Sequence, residues 1–214
     1  MKGFLFDLDG TLVDTAIDML DALRLLAKEN NINIEPSHQE YKELITHGSR
    51  AIVESIFGIT DKQTFFKLQK RYLAIYQQIL TKGSCLFDGI EDFIEHLDKN
   101  HTPWGIVTNK PSYLAKPLVE SLAALKNCGV LVGGDSTKFS KPHPEPINVA
   151  ISKLKINPAK SWYIGDALSD ISAGNAANMK TAIAMWGYIG QNDTPSKWQA
   201  HVTLNHSVEL MKLY

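Results

Sequence analysis

The apolar positions change rhythm twice along the chain. Phe4-Leu5-Phe6 is a short unbroken run ended by Asp7, which predicts a buried strand. From there the spacing lengthens to three and four. Ile17, Leu20, Leu23 and Ala27 form one helical stripe, interrupted by Asn30-Asn31 and Pro36. A second helix is predicted from Ser49 through Ile52, Val53, Ile56 and Phe57 to a stop at Gly58. A third carries Phe65, Tyr72, Tyr76, Ile79 and Leu80 and ends near Gly83. No strand is expected between residues 15 and 83.

From Cys85 onward strands alternate with helices. Trp104 to Thr108 reads as a buried strand, followed by a helix with Leu114, Leu118, Leu122 and Leu125. Val130 to Gly133 is the next strand, then a helix with Ile147, Ala150, Ile151 and Leu154. Ser161 to Gly165 and Thr181 to Met185 follow, with a helix between them, and Val202-Thr203-Leu204 is a weaker last strand. Apolar strands separated by helices imply a parallel sheet covered on both faces. The expected fold is α/β: a Rossmann-like parallel-sheet core, residues 1–14 and 84–214, with an α-helical insert, residues 15–83, after its first strand.

That topology gives the polar residues a location. In open α/β sheets, ligands sit outside the carboxyl ends of the strands. Four polar groups fall there: Asp7-Leu8-Asp9-Gly10, Thr108-Asn109-Lys110-Pro111, Lys141-Pro142, and Gly165-Asp166 through Asp170. Each has an ordinary reading by itself, as a turn, a helix cap, a solvated loop, or an N-cap with a structural aspartate. Together on one rim they make a candidate site. Asp7 and Asp9 share a face only while the extended geometry lasts, and the turn at Gly10 then offers backbone N–H groups to an anion. Paired acids beside such amides suit a divalent cation and a phosphoryl group held in line with a carboxylate nucleophile.

Composition narrows the partners. The 214 residues are 44% hydrophobic and 21% charged, with 22 basic against 23 acidic side chains and a net charge of -1. With no Lys/Arg block, neither nucleic acid nor an anionic membrane is an expected partner. Met1 to Phe6 is too short for a secretory signal, and no apolar stretch reaches the roughly 18 residues of a membrane span. Cys85 and Cys128, without a CxxC partner, fit reduced structural thiols in the cytoplasm and give zinc no support.

The string Phe-Asp-Leu-Asp-Gly-Thr-Leu-Val-Asp, Phe6 to Asp14, resembles the first motif of the haloacid-dehalogenase (HAD) superfamily of phosphohydrolases. The other family motifs follow in order over nearly the whole chain. The resemblance implies a helical cap in the insert, Mg²⁺ as cofactor and an aspartyl-phosphate intermediate. By it, Asp7 is the nucleophile and Asp9 the acid that protonates the leaving group and later takes a proton from water. The metal would be held by Asp7, the main-chain carbonyl of Asp9, and Asp166. Thr108 and the amide of Asn109 would bind phosphoryl oxygens, with Lys141 as a catalytic point charge and Asp170 orienting Lys141 or a metal-bound water. Dehalogenase members lack an acid two positions after the nucleophile, so Asp9 favours phosphate ester hydrolysis. A phosphonatase would bring a cap lysine, and Lys42, Lys62 and Lys67 have no such context. A sugar-phosphate mutase shares the core chemistry and stays open.

Specificity in the superfamily comes largely from the cap. There Thr46-His47-Gly48-Ser49-Arg50 is the candidate loop: Gly48 permits a tight approach and Arg50 offers a bidentate pair to a substrate carboxylate. The ordinary reading of this loop is an exposed helix start with a solvated arginine and a surface histidine. Val107 to Pro111, Gly133-Gly134-Asp135 and Lys141 to Pro146 resemble the bacterial phosphoglycolate phosphatases, as does Trp186-Gly187-Tyr188. Asn192 to Ala200 resembles the related N-acetylmuramic acid 6-phosphate phosphatases. Both substrates carry a carboxylate, so Arg50 does not decide between them; phosphoglycolate is the first expectation. A different class, a receiver-like regulator storing phosphate on aspartate, would be shorter and would lack the helical insert. The expected partner is a small phosphorylated metabolite, and a monomer or weak dimer suits a cap that must swing.

Overall fold

The strands of the computed structural model, in chain order, are β1 (Phe4–Phe6), β2 (Val13–Asp14), β3 (Cys85–Leu86), β4 (Trp104–Val107), β5 (Leu131–Val132), β6 (Trp162–Gly165), β7 (Lys180–Ala184) and β8 (Val202–Leu204). It describes residues 1–34, 44–45, 48–58 and 61–214. Six strands form one parallel sheet in the order β5-β4-β1-β6-β7-β8. β1 pairs on both sides, with Phe4 opposite Trp104 in one neighbour and Trp162 in the other. A strand so placed has no solvent face, which is why its sequence is apolar without alternation. Phe4, Leu5 and Phe6 are fully buried.

The described residues cluster into two units: Met1–Asp14, Leu86–Gly187 and Asp193–Tyr214 in the first, Thr15–Cys85 and Tyr188–Asn192 in the second. In the first, helices cover the sheet with Leu114, Ala115 and Leu118 of Ser112–Ser121, Ile147 and Ala150 of Glu145–Leu154, and Ile171 and Ala173 of Leu168–Ala176. The helix predicted through Leu125 stops earlier. Leu122 is extended, and Ala123–Leu125 is a separate 3₁₀ turn. The helix Ile90–Lys99 is not among the expected elements, although Ile90, Phe93, Ile94 and Leu97 carry helical spacing and are buried. Nor was the pairing of β2 with β3 expected; two residues per strand are too few for a pattern.

The second unit is helical. The helices described in full within it are Ala16–Glu29, Gly48–Phe57 and Lys62–Ile79. Asp61 caps the last, accepting from the Gln63 and Thr64 amides at 3.0 Å each. The first helix buries Ala16, Met19, Leu20, Leu23 and Ala27, whereas Ile17 lies at the edge of the stripe, 45% exposed. Buried Asp18 accepts from the amides of Thr81, Gly83 and Ser84 at 2.7 to 3.1 Å and so ties down the returning chain. The Tyr188 hydroxyl oxygen accepts from Thr15 N (2.7 Å) and Ala16 N (3.0 Å), satisfying amides at the helix start. Pro36, Lys42, Thr46 and His47 lie outside the described residues.

Candidate active site

β1 ends at Phe6, yet the Asp7 amide still donates to Ile164 O on β6 (2.9 Å), so the sheet fixes the backbone of Asp7 at its rim. The chain then turns under a buried Leu8, whose carbonyl accepts from Leu12 N and Val13 N at 3.0 Å each. Gly10 takes φ +81°, a conformation that costs a side-chain-bearing residue energy. Its N–H, expected to meet an anion, instead donates to Val13 O at 2.9 Å. The turn closes on itself, and Gly10 serves it through its backbone conformation.

Opposite Asp7 stands Lys141, 2% exposed. Its Nζ lies 2.8 Å from Asp7 Oδ1, 2.7 Å from Asp170 Oδ1, 3.0 Å from Val107 O and 2.9 Å from the Tyr163 hydroxyl. Tyr163 in turn donates to Val107 O at 2.8 Å. A buried ammonium is tolerable only with such a shell of acceptors. Burial works against its charge, but Asp170 and Asp7 outweigh it and hold the lysine well above its usual pKa. Burial pushes the Asp7 carboxyl up to about 6, against the pull of Lys141. Burial also holds the Tyr163 hydroxyl well above its usual range.

Asp166 and Asp170 leave the end of β6 on one loop and helix. Thr11 donates to Asp166 Oδ1 at 2.8 Å and so orients that carboxylate. Asp170 gives one oxygen to Lys141 and the other to the Ala167 amide (3.0 Å). Gly165 makes room for it: a Cβ there would lie 2.3 Å from Asp170 Cγ. Carboxylate oxygens of Asp7, Asp166 and Asp170 lie within 4.8 Å of one another, a hard-oxygen set that fits a divalent cation such as Mg²⁺.

Thr108 is buried, its Oγ1 accepting from Lys110 N at 3.1 Å. The side chain of Asn109 bonds the backbone of Lys141 twice, donating to its carbonyl and accepting from its amide at 3.0 Å each. This splint explains how a long loop holds Lys141 steady. Lys110 donates to Asp9 Oδ1 at 2.8 Å. Arg50, in the second unit, pairs with Glu54 (2.8 Å), lies 5.4 Å from the Phe65 ring centroid and is 73% exposed.

The structure thus brings Asp7, Lys141, Asp166 and Asp170 together, with Thr108, Asn109 and Asp9 bonded to their neighbours on adjoining loops. Sequence reasoning assigned no role to Thr11, Lys110 or Tyr163. The first two lie inside quoted motifs and were open to inspection. Tyr163 sits in an apolar strand run, where nothing marks a hydroxyl for function. Trp186 donates to Thr11 O at 3.0 Å, which adds a strut behind the same turn.

Residues 4–184 match the family model of haloacid dehalogenase-like hydrolases. The chain is 36% identical over 209 residues to the phosphoglycolate phosphatase of Xanthomonas campestris pv. campestris, covering 98% of this chain and 94% of that protein. It is also 36% identical over 212 residues to the N-acetylmuramic acid 6-phosphate phosphatase of Pseudomonas aeruginosa, covering 99% and 93%. A crystal structure of a predicted phosphoglycolate phosphatase from Haemophilus somnus shares the fold, with TM-score 0.88, 23% identity, and coverage of 100% of this chain and 97% of that one. With the family match spanning both units and relatives above 30% identity along nearly the full length, the chain belongs to the haloacid dehalogenase-like hydrolases.

Proposed function

We propose that this enzyme, a phosphatase of its family, is a Mg²⁺-dependent phosphomonoesterase of small metabolites that works through an aspartyl-phosphate on Asp7. The observation that carries this reading is the Lys141 ammonium held between Asp7 and Asp170, with Asp166 in the same carboxylate cluster. Membership in a hydrolase family sets aside the receiver-like alternative.

Asp7, Asp166 and the main-chain carbonyl of Asp9 would hold Mg²⁺, which when bound supplies positive charge beside the phosphoryl group. Asp7 attacks phosphorus as the ester P–O bond breaks, and Asp9 gives its proton to the leaving alkoxide. Asp9 then takes a proton from the water that attacks the aspartyl-phosphate, releasing inorganic phosphate and restoring Asp7. Lys141, the Thr108 hydroxyl and the Asn109 amide bind phosphoryl oxygens as charge shifts onto them. Asp170 holds Lys141 in place, and Gly10 shapes the nucleophile turn. Residues 1–14 and 84–214 form the catalytic core in this reading, residues 15–83 the cap, and Arg50 contacts substrate from the cap.

Phosphoglycolate is the preferred substrate in this proposal. N-acetylmuramic acid 6-phosphate is the second, because the relative named for it is equally identical. Among the described residues no helix is long and apolar enough to cross a membrane. We take the enzyme to be cytoplasmic and a monomer or weak dimer. The test is hydrolysis of p-nitrophenyl phosphate with and without Mg²⁺, for the wild type and Asp7→Asn. Activity that survives metal removal or the substitution overturns the mechanism. A kcat/KM comparison of the two named substrates with hexose phosphates then decides the substrate.

A further inference from the structure

The Lys141 ammonium has more partners than hydrogens. It carries three N–H donors. Four oxygens lie in reach: Asp170 Oδ1 at 2.7 Å, Asp7 Oδ1 at 2.8 Å, the Tyr163 hydroxyl at 2.9 Å and Val107 O at 3.0 Å. The lysine backbone is fixed as well, by the side chain of Asn109 on its amide and carbonyl. Tyr163 resolves the count. Its hydroxyl has one hydrogen to give, and the oxygen lies 2.8 Å from Val107 O but 3.3 Å from Asp170 Oδ1. Given to Val107 O, that hydrogen satisfies the carbonyl and leaves the phenolic oxygen to accept from Lys141. The three ammonium hydrogens then go to Asp7, Asp170 and Tyr163, and a phosphoryl oxygen has to displace one of these partners.

Resting on the phosphatase reading, in which Lys141 binds a phosphoryl oxygen, we infer that Tyr163 is a positioning residue that holds the third N–H of Lys141 before substrate arrives and yields it to that oxygen. The three partners differ in what release costs. Asp170 is 1% exposed and Asp7 13%, and each of their bonds to the ammonium joins opposite charges. Breaking either leaves a buried carboxylate short of its counter-charge. The Tyr163 bond goes to a neutral acceptor. After release its hydroxyl still donates to Val107 O, so the exchange orphans no buried polar group. Phenylalanine cannot take this part. In Tyr163→Phe the third N–H turns to Val107 O, already 3.0 Å away. Moving it on to a phosphoryl oxygen then strips that carbonyl of both its tyrosine and its lysine donor. The opposite view, a tyrosine that merely competes for the ammonium, predicts the opposite sign: its removal would tighten phosphate binding.

The test is the affinity for inorganic phosphate at saturating Mg²⁺, in the wild type and in Tyr163→Phe. It is read by titration calorimetry and as the competitive Ki against p-nitrophenyl phosphate. The variant is expected to bind phosphate about 3- to 10-fold more weakly, the range for one neutral hydrogen bond. KM for the ester is expected to rise by a similar factor with kcat held within about twofold, because the bond is lost alike in the ground and transition states. A packing role alone would leave fewer active molecules, which lowers the apparent kcat and moves neither Ki nor KM. Tyr163→Met serves if the phenylalanine variant does not fold. Equal or tighter phosphate binding by the variant overturns the inference, as does a fall in kcat with KM unchanged. A wild type that neither binds phosphate nor hydrolyses p-nitrophenyl phosphate sinks the phosphatase reading instead.

Discussion

Replacing Asp7 with asparagine is expected to abolish turnover and, at neutral pH without metal, to stabilise the fold. The Asp7 side chain is 13% exposed, and burial raises its pKa from 3.8 to about 6. Between those values the folded protein binds more protons than the unfolded chain, so stability falls as pH rises through the window. The cost is absent below about pH 4 and complete above pH 6. At about 1.4 kcal/mol per pH unit, it amounts to roughly 3 kcal/mol at pH 7.5. Asparagine keeps the shape and an acceptor for Lys141 but carries no charge, so the variant is spared that cost. The assay is urea unfolding in EDTA at pH 7.5 and pH 4.5. Tryptophan fluorescence reports it well, since Trp104, Trp162, Trp186 and Trp198 all lie in the first unit. The expected gap of about 3 kcal/mol at the higher pH narrows strongly at the lower. Added Mg²⁺ should raise the wild type and close the gap by ligand linkage. An Asp7→Asn protein less stable than wild type at pH 7.5, or a gap indifferent to pH, would refute the reasoning.

Thr11→Val removes the hydroxyl that orients Asp166, so the Mg²⁺ concentration for half-maximal activity should rise about tenfold, read from a metal titration of the rate. Gly165→Ala forces a methyl to within 2.3 Å of Asp170 Cγ. It should cost about 1–3 kcal/mol in a urea melt and at least about tenfold in kcat, because Asp170 can no longer hold Lys141. In the second unit, Asp18→Ala strips the amides of Thr81, Gly83 and Ser84 of their acceptor. Hydrogen exchange at those amides should accelerate at least about tenfold, and unchanged rates would show that they have other partners.

The sheet and its rim were legible because the signals are local. A strand buried on both faces must be apolar throughout, and its loops must carry whatever polar chemistry the sheet presents. Leu122 shows the limit: helical spacing ran on through Leu125, yet the chain turned extended at Leu122 before a separate 3₁₀ turn. Gly10 shows another. Its identity announced a turn, but whether its amide faced outward or back to Val13 depended on how that turn closed.

Taken alone, the sequence determined which segments form the six-stranded sheet, which residues stand at their carboxyl ends, and that two acids begin the series. Only the tertiary structure decided who bonds to whom. Lys110 meets Asp9 across 101 positions and Lys141 meets Asp7 across 134. Tyr163 entered the Lys141 shell from an apolar strand, and Asn109 turned its side chain to brace the loop rather than to face outward. The physical reason is that backbone periodicity is written residue by residue. The partner of a buried charge is set by which loops converge, and by the need to leave no buried ion without its acceptors.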